Sequence, residues 1–173
     1  MLKKLLLVSC LIFTACVGYA QDKDVKARVI LIGDAGEMNE GQFAALKNAA
    51  NHVIKGKTTT VYLGDNIYPV GMAIPGYGNF EETSKILQSQ FKPMRDAGSA
   101  VYFVPGNHDW DQSGPNGLAK IKAQGDYLAS FNDPLLKLIP SNGCPDPVAI
   151  KLSDKLTLIA YDSEWWLFPY NKA

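Results

Sequence analysis

Three short stretches hold the residues best suited to chemistry: Gly33-Asp34, Gly64-Asp65 and Gly106-Asn107-His108-Asp109. In each, a glycine precedes a residue that can ligate a metal: Asp34, Asp65 and Asn107. Two carboxylates brought together with no lysine or arginine between them repel one another. A multivalent cation resolves that repulsion and is the natural occupant of such a site. The glycines would let the backbone turn sharply and approach whatever is bound there. One Gly-Asp pair alone is usually a turn, and Asp34 alone could equally cap a following helix. The weight lies in the conjunction of all three.

That conjunction needs elements that bring the three stretches to one place. Residues 27–32 (Ala-Arg-Val-Ile-Leu-Ile), 58–63 (Thr-Thr-Thr-Val-Tyr-Leu) and 100–104 (Ala-Val-Tyr-Phe-Val) are rich in β-branched and aromatic residues and have strand length. They lack polar alternation, as strands covered on both faces do. Between them, Phe43, Leu46, Ala50 and Val53 form a stripe over a helical segment, residues 42–54. Phe80, Ile86, Leu87 and Phe91 form another over residues 80–94, which should end near Pro93. Strand, helix, strand, helix, strand predicts right-handed crossovers and a parallel sheet. Its carboxyl edge would then carry Asp34, Asp65 and Asn107 side by side, where open α/β sheets place their ligands. A further helix is expected over residues 118–131. The proline-, glycine- and asparagine-rich residues 132–147 read as irregular surface, and strands at 148–152 and 156–161 turn around Ser153-Asp154-Lys155. The expected fold class is α/β, a layered sandwich with a mostly parallel first sheet.

The chain has 173 residues, with 17 basic and 17 acidic side chains and 47% apolar residues. That is one globular domain, neither disordered nor fibrous. A balanced charge argues against a scaffold held on nucleic acid by phosphate contacts. The first 20 residues differ from the rest. Lys3 and Lys4 precede an apolar run from Leu5 to Val17, and Gly18-Tyr19-Ala20 offers small residues where a signal peptidase reads. The run is too short to span a membrane. The expectation is a secretory signal at 1–20, a domain at 21–173, and export to the periplasm or beyond. The alternative is lipid attachment at Cys16, after Thr14-Ala15. Removing the leader deletes Cys10 and Cys16 and leaves Cys144 alone, with no internal disulfide to form. Cys144 reads as a loop thiol, His52 as a surface or packing residue, and Trp165–Phe168 as core or an edge of the fold.

From residue 27 to about 163 the set of motifs resembles the calcineurin-like metallophosphoesterase superfamily. Its pattern is an aspartate after the first strand, Gly-Asp after the second, then Gly-Asn-His-Asp or Glu. Two details are similar to the purple acid phosphatase branch. Gly36 stands where the broader family places a histidine, and Tyr68 stands where that branch supplies a tyrosinate. The resemblance implies metal-dependent hydrolysis of a small-molecule phosphate ester at two metal ions, Fe(III) with Fe(II), Zn(II) or Mn(II). It implies Asp34 and Tyr68 on one ion, Asp65 bridging both, and Asn107 on the other. His108 would be the catalytic residue off the metals, a proton donor to the leaving alkoxide or a hydrogen-bond donor to the phosphoryl oxygens. Taken alone, Tyr68 could pack on Pro69, and His108 could be a satisfied loop histidine. The loops at 69–79 and 109–117 are expected to line the site. The pattern's later histidines, one alone and then Gly-His-x-His, have no counterpart here, where the only histidines are His52 and His108. The expectation is therefore the N-terminal portion of a longer enzyme, with an incomplete site when taken by itself. The alternative is a noncatalytic exported domain that keeps the fold and at most one weak metal site.

Overall fold

The computed structural model describes residues 23–144 and 146–172; the leader at 1–20, with Cys16, lies outside them. Four strands form a parallel sheet in the order β1 (Arg28–Ile32), β2 (Thr58–Tyr62), β3 (Ala100–Phe103) and β4 (Leu136–Leu138). The register sets Ile32 beside Tyr62, and Tyr62 beside Phe103. The first three strands therefore end level with one another. Helices α1 (Glu40–Asn51) and α2 (Phe80–Asp96) make the crossovers, and α3 (Gly117–Ala129) leads into β4. A hairpin of β5 (Val148–Ser153) and β6 (Leu156–Ala160) forms a separate antiparallel pair, followed by the short helix α4 (Glu164–Leu167). The family of folds is the expected α/β one.

Strand parity divides the core. Tyr62, Val101, Phe103, Leu136 and Leu138 face the helices, where they meet Leu46, Leu87, Phe91, Met94, Ile121 and Leu128. The Tyr62 and Phe103 rings stack at 4.5 Å between centroids. Full burial of one such side chain contributes about 1.5–3 kcal/mol. On the opposite face Tyr102 and Ile139 meet Ala160 and Ile150 of the hairpin. This second layer lies over β3 and the end of β4 and leaves β1 open. Strand β2 is buried along its whole length as expected, but Leu31 in β1 is 59% exposed and Leu63 just past β2 is 53% exposed.

Two elements differ from the sequence expectation. Residues 132–147 are not wholly irregular, because Leu136-Lys137-Leu138 adds the fourth parallel strand. Three residues between Pro134 and Pro140 are too few for a visible period, and the strand exists because β3 offers it a ladder and its two leucines enter the core. Helix α2 does not end near Pro93 but continues to Asp96. A proline so near the C-terminus removes one backbone hydrogen bond, and the fully buried Met94 beyond it holds the last turn in place.

Candidate metal centre

The ladder of the sheet continues into the loops at its carboxyl edge. Leu63 N donates to Ile32 O at 2.8 Å, Val104 N to Tyr62 O at 2.8 Å, and Asp34 N to Gly64 O at 3.3 Å. Asp34 and Asp65 then both take left-handed backbone, with φ of 55° and 53°. Aspartate is among the few side chains that tolerate this region. Gly33 is not the residue that makes the first turn possible: a Cβ there would meet nothing within 4 Å. Gly64 and Gly106 are the required pair. Gly64 has φ of 109°, and its Cβ would stand 2.8 Å from Gly106 Cα; a Cβ on Gly106 would stand 2.4 Å from Asp65 Oδ1. These two glycines let the loops after β2 and β3 touch.

Tyr68 joins the two aspartates. Its hydroxyl lies 2.9 Å from Asp34 Oδ1 and 3.0 Å from Asp65 Oδ2. Partial desolvation raises the phenol pKa above its ordinary 10, and the hydrogen bonds and negative charge of Asp34 and Asp65 raise it further. The phenol proton and a cation would compete for the same oxygens, so binding a cation here would release that proton. Gly36 has no room for any side chain: its Cβ would stand 2.6 Å from Asp65 O and 2.7 Å from Ile67 N. Asp34 is not a helix cap, because Asn39 caps α1 and accepts from Gln42 N at 2.9 Å.

His108 approaches from the third loop. Its backbone N–H donates to Asp65 Oδ1 at 3.2 Å, and its ring lies edge-on to Tyr68 at 4.5 Å. The ring Nδ1 lies 2.6 Å from Pro69 O. Gln112 Nε2 lies 3.2 Å from the same Nδ1, so Pro69 and Gln112 together hold the ring. Asn107 is exposed, and its side chain has no hydrogen-bond partner among the described residues. The structure thus brings Asp34, Asp65 and Tyr68 into direct contact and sets His108 against them. Asn107 sits at the same sheet edge without touching the other three.

Three supporting residues were not singled out from sequence. Asp109 is fully buried, and its Oδ2 accepts from Gly106 N at 2.8 Å, Asn66 N at 3.1 Å and Asn66 Nδ2 at 3.1 Å. It clamps the loop carrying Asp65 to the loop carrying Asn107. Burial pushes its carboxyl up to about 7; the Asp65 charge adds to this, and the amides of Gly106 and Asn66 oppose it. Gln90 of α2 donates to Asn66 O at 2.7 Å. Asn66 and Asp109 lie inside the motifs read from sequence, so their positions were visible although their function as a clamp was not. Gln90 gave no signal beyond a polar residue on an apolar stripe.

Two carboxylates and a phenol on one point are hard oxygen donors, and they fit a hard cation. Among the described residues no group of three or more His, Cys, Asp or Glu side chains could hold a metal. The donor set is instead mixed, Asp34, Asp65 and Tyr68 with Asn107 nearby, and it is closer to complete for one ion than for two.

The calcineurin-like phosphoesterase family pattern matches residues 27–168. The chain belongs to that family, whose general chemistry is metal-dependent hydrolysis of phosphoesters and whose members generally bind two metal ions. Comparison with curated proteins and with solved structures returned no match. No helix among the described residues is long and apolar enough to cross a membrane.

Proposed function

We propose that this protein hydrolyses a small-molecule phosphate ester at a two-metal centre of the purple acid phosphatase type. The observation that carries this reading is the Tyr68 hydroxyl seated between Asp34 and Asp65, at a corner where Gly36 excludes a side chain. Asp34 and Tyr68 would hold one ion, Asp65 would bridge, and Asn107 would serve the second. Fe(III) with Fe(II), Zn(II) or Mn(II) suits a phenolate beside carboxylates. When bound, the ions supply hydroxide near neutral pH and charge to hold the phosphoryl group in line. Asp65 adds positioning, since its Oδ1 also accepts from His108 N. His108 would stay off the metals and either protonate the leaving alkoxide or hydrogen-bond the phosphoryl oxygens, its ring held against Pro69 O. The leader at 1–20 is read as an export signal, with Cys16 lipidation as the alternative.

The mixed donor set also favours a second reading, a noncatalytic domain with one weak metal site. Metal titration followed by aryl phosphate hydrolysis separates the two. The enzyme reading expects metal-dependent turnover above the metal-only blank, at less than about 1 s⁻¹ because the second ion has few donors here. Asp65→Asn should lower metal content, and His108→Ala should keep metal while reducing turnover by roughly 10²–10⁴-fold. Turnover above the blank decides against the noncatalytic domain, and metal binding with no turnover decides against a complete active site in this chain. Full metal occupancy in Asp65→Asn removes the bridging role.

A further inference from the structure

Beside the metal centre lies an open cleft of about 600 Å³, bounded by Tyr68 and Pro69 at one end and by the first turn of α2 at the other. Such a volume suits one drug-sized organic group. Its walls include Val70, Ala73, Ile74, Tyr77 and Ile86. Tyr77 is 75% exposed and stands at the rim. Much of the polar wall is already engaged. Thr83 Oγ1 accepts from Ala73 N at 3.3 Å and donates to backbone carbonyls of α2's first turn. Lys120, the single cationic side chain in the cleft, donates to Val70 O at 2.6 Å and pairs with Asp111 at 2.8 Å.

The charge left over is negative. Glu82 borders this cleft and also an adjoining one of about 540 Å³, where Glu37 joins it. Neither glutamate has an ion-pair partner among the described residues; the nearby Lys85 pairs with Glu81 at 2.8 Å. No lysine or arginine lines the adjoining cleft or the smaller hollow around Asp34. A second phosphate or sulfate on the substrate would therefore meet Glu82, whose charge is only partly offset by Lys85, itself paired with Glu81. An apolar group would bury against Ile74 and Ile86, and a positive group would gain from Glu82 and from the exposed Tyr77 ring at the rim.

We infer that this cleft seats the alcohol part of the ester, and that it selects an apolar or aromatic group, favouring one that carries a positive charge. The inference rests on the phosphoesterase reading of the adjacent centre and adds the substrate class. It is tested without turnover, by amide chemical shifts of the metal-free protein titrated with benzyltrimethylammonium, benzyl alcohol and benzenesulfonate. The amides of Ala73, Ile74, Tyr77 and Ile86 should move with the first two. The cation should bind roughly two- to fivefold more tightly than the alcohol, and benzenesulfonate most weakly. Glu82→Gln, an exposed change that leaves the core untouched, should remove the advantage of the cation. Sulfonate binding as tight as the cation, or no movement at these amides, overturns the inference. Metal titration of the same sample keeps the two readings apart. Metal binding without cleft shifts overturns the cleft alone. Cleft shifts without metal binding overturn the phosphoesterase reading and, with it, the cleft's role in an ester substrate.

Discussion

Gly36 packs against the backbone of the loop that carries Asp65, and its carbonyl accepts from Tyr68 N at 3.1 Å. The backbone of residue 36 passes so near Asp65 O that a single methyl would stand 2.6 Å from it. Gly36→Ala should therefore destabilise the protein by about 1–3 kcal/mol through overpacking. Thermal denaturation should show a fall of several degrees in Tm. Cation affinity should fall with it, because the clash is with the backbone of Asp65 itself. An unchanged Tm would show that the loop yields without strain. Both residues stood out in the sequence only through the family resemblance. The reason for the glycine did not, because it depends on a backbone atom 29 positions away in the chain.

Helix α1 shows how an element holds the site from outside it. Asn39 caps its N-terminus, and Gln42, whose N–H is capped, reaches back with its side chain to Ala35 O at 2.8 Å and to Ser89 Oγ of α2 at 3.2 Å. The turn containing Asp34 is thus tied to both crossover helices. Asn39→Ala should cost about 0.5–2 kcal/mol, the usual loss for a cap, measured as a lower urea midpoint with an unchanged slope. A change below a few tenths would mean that the cap is replaced by water. The sequence located all three crossover strands and their helices because their apolar runs are long enough to show a period. It missed β4, which has three residues and a partner contributed by β3.

Across the whole molecule, one buried hydrogen bond links the loop after β3 to the chain beyond the hairpin. Trp110 Nε1 donates to Asp162 Oδ2 at 2.8 Å, while Asp162 Oδ1 accepts from Glu164 N at 3.0 Å and Trp165 N at 3.2 Å. Burial raises the Asp162 carboxyl from 3.8 to about 6, against the opposing donation from Trp110, Trp165 and Glu164. The folded state therefore holds this proton more tightly than the unfolded chain. The stability it contributes is present below the unfolded value of 3.8 and is lost as pH rises through about 6. Asp162→Asn should be less stable at every pH, since an amide cannot accept on both sides and the Trp110 N–H loses its partner. Its deficit against wild type should shrink between about pH 4 and 7, followed by Tm at each pH. A constant deficit would show an ordinary carboxyl pKa.

The strand ends, the crossover order, the candidate ligands Asp34, Asp65 and Asn107 and the neighbouring His108 were legible in the sequence, because local propensity and motif spacing depend on neighbours along the chain; Tyr68 was legible only through the family resemblance. The contacts that make them a centre were decided only by tertiary structure. The Gly64–Gly106 approach, the Asp109 clamp, the Pro69 carbonyl that orients His108 and the charge of the cleft beside Tyr68 each join residues distant in the chain, and no local pattern encodes the distance between them.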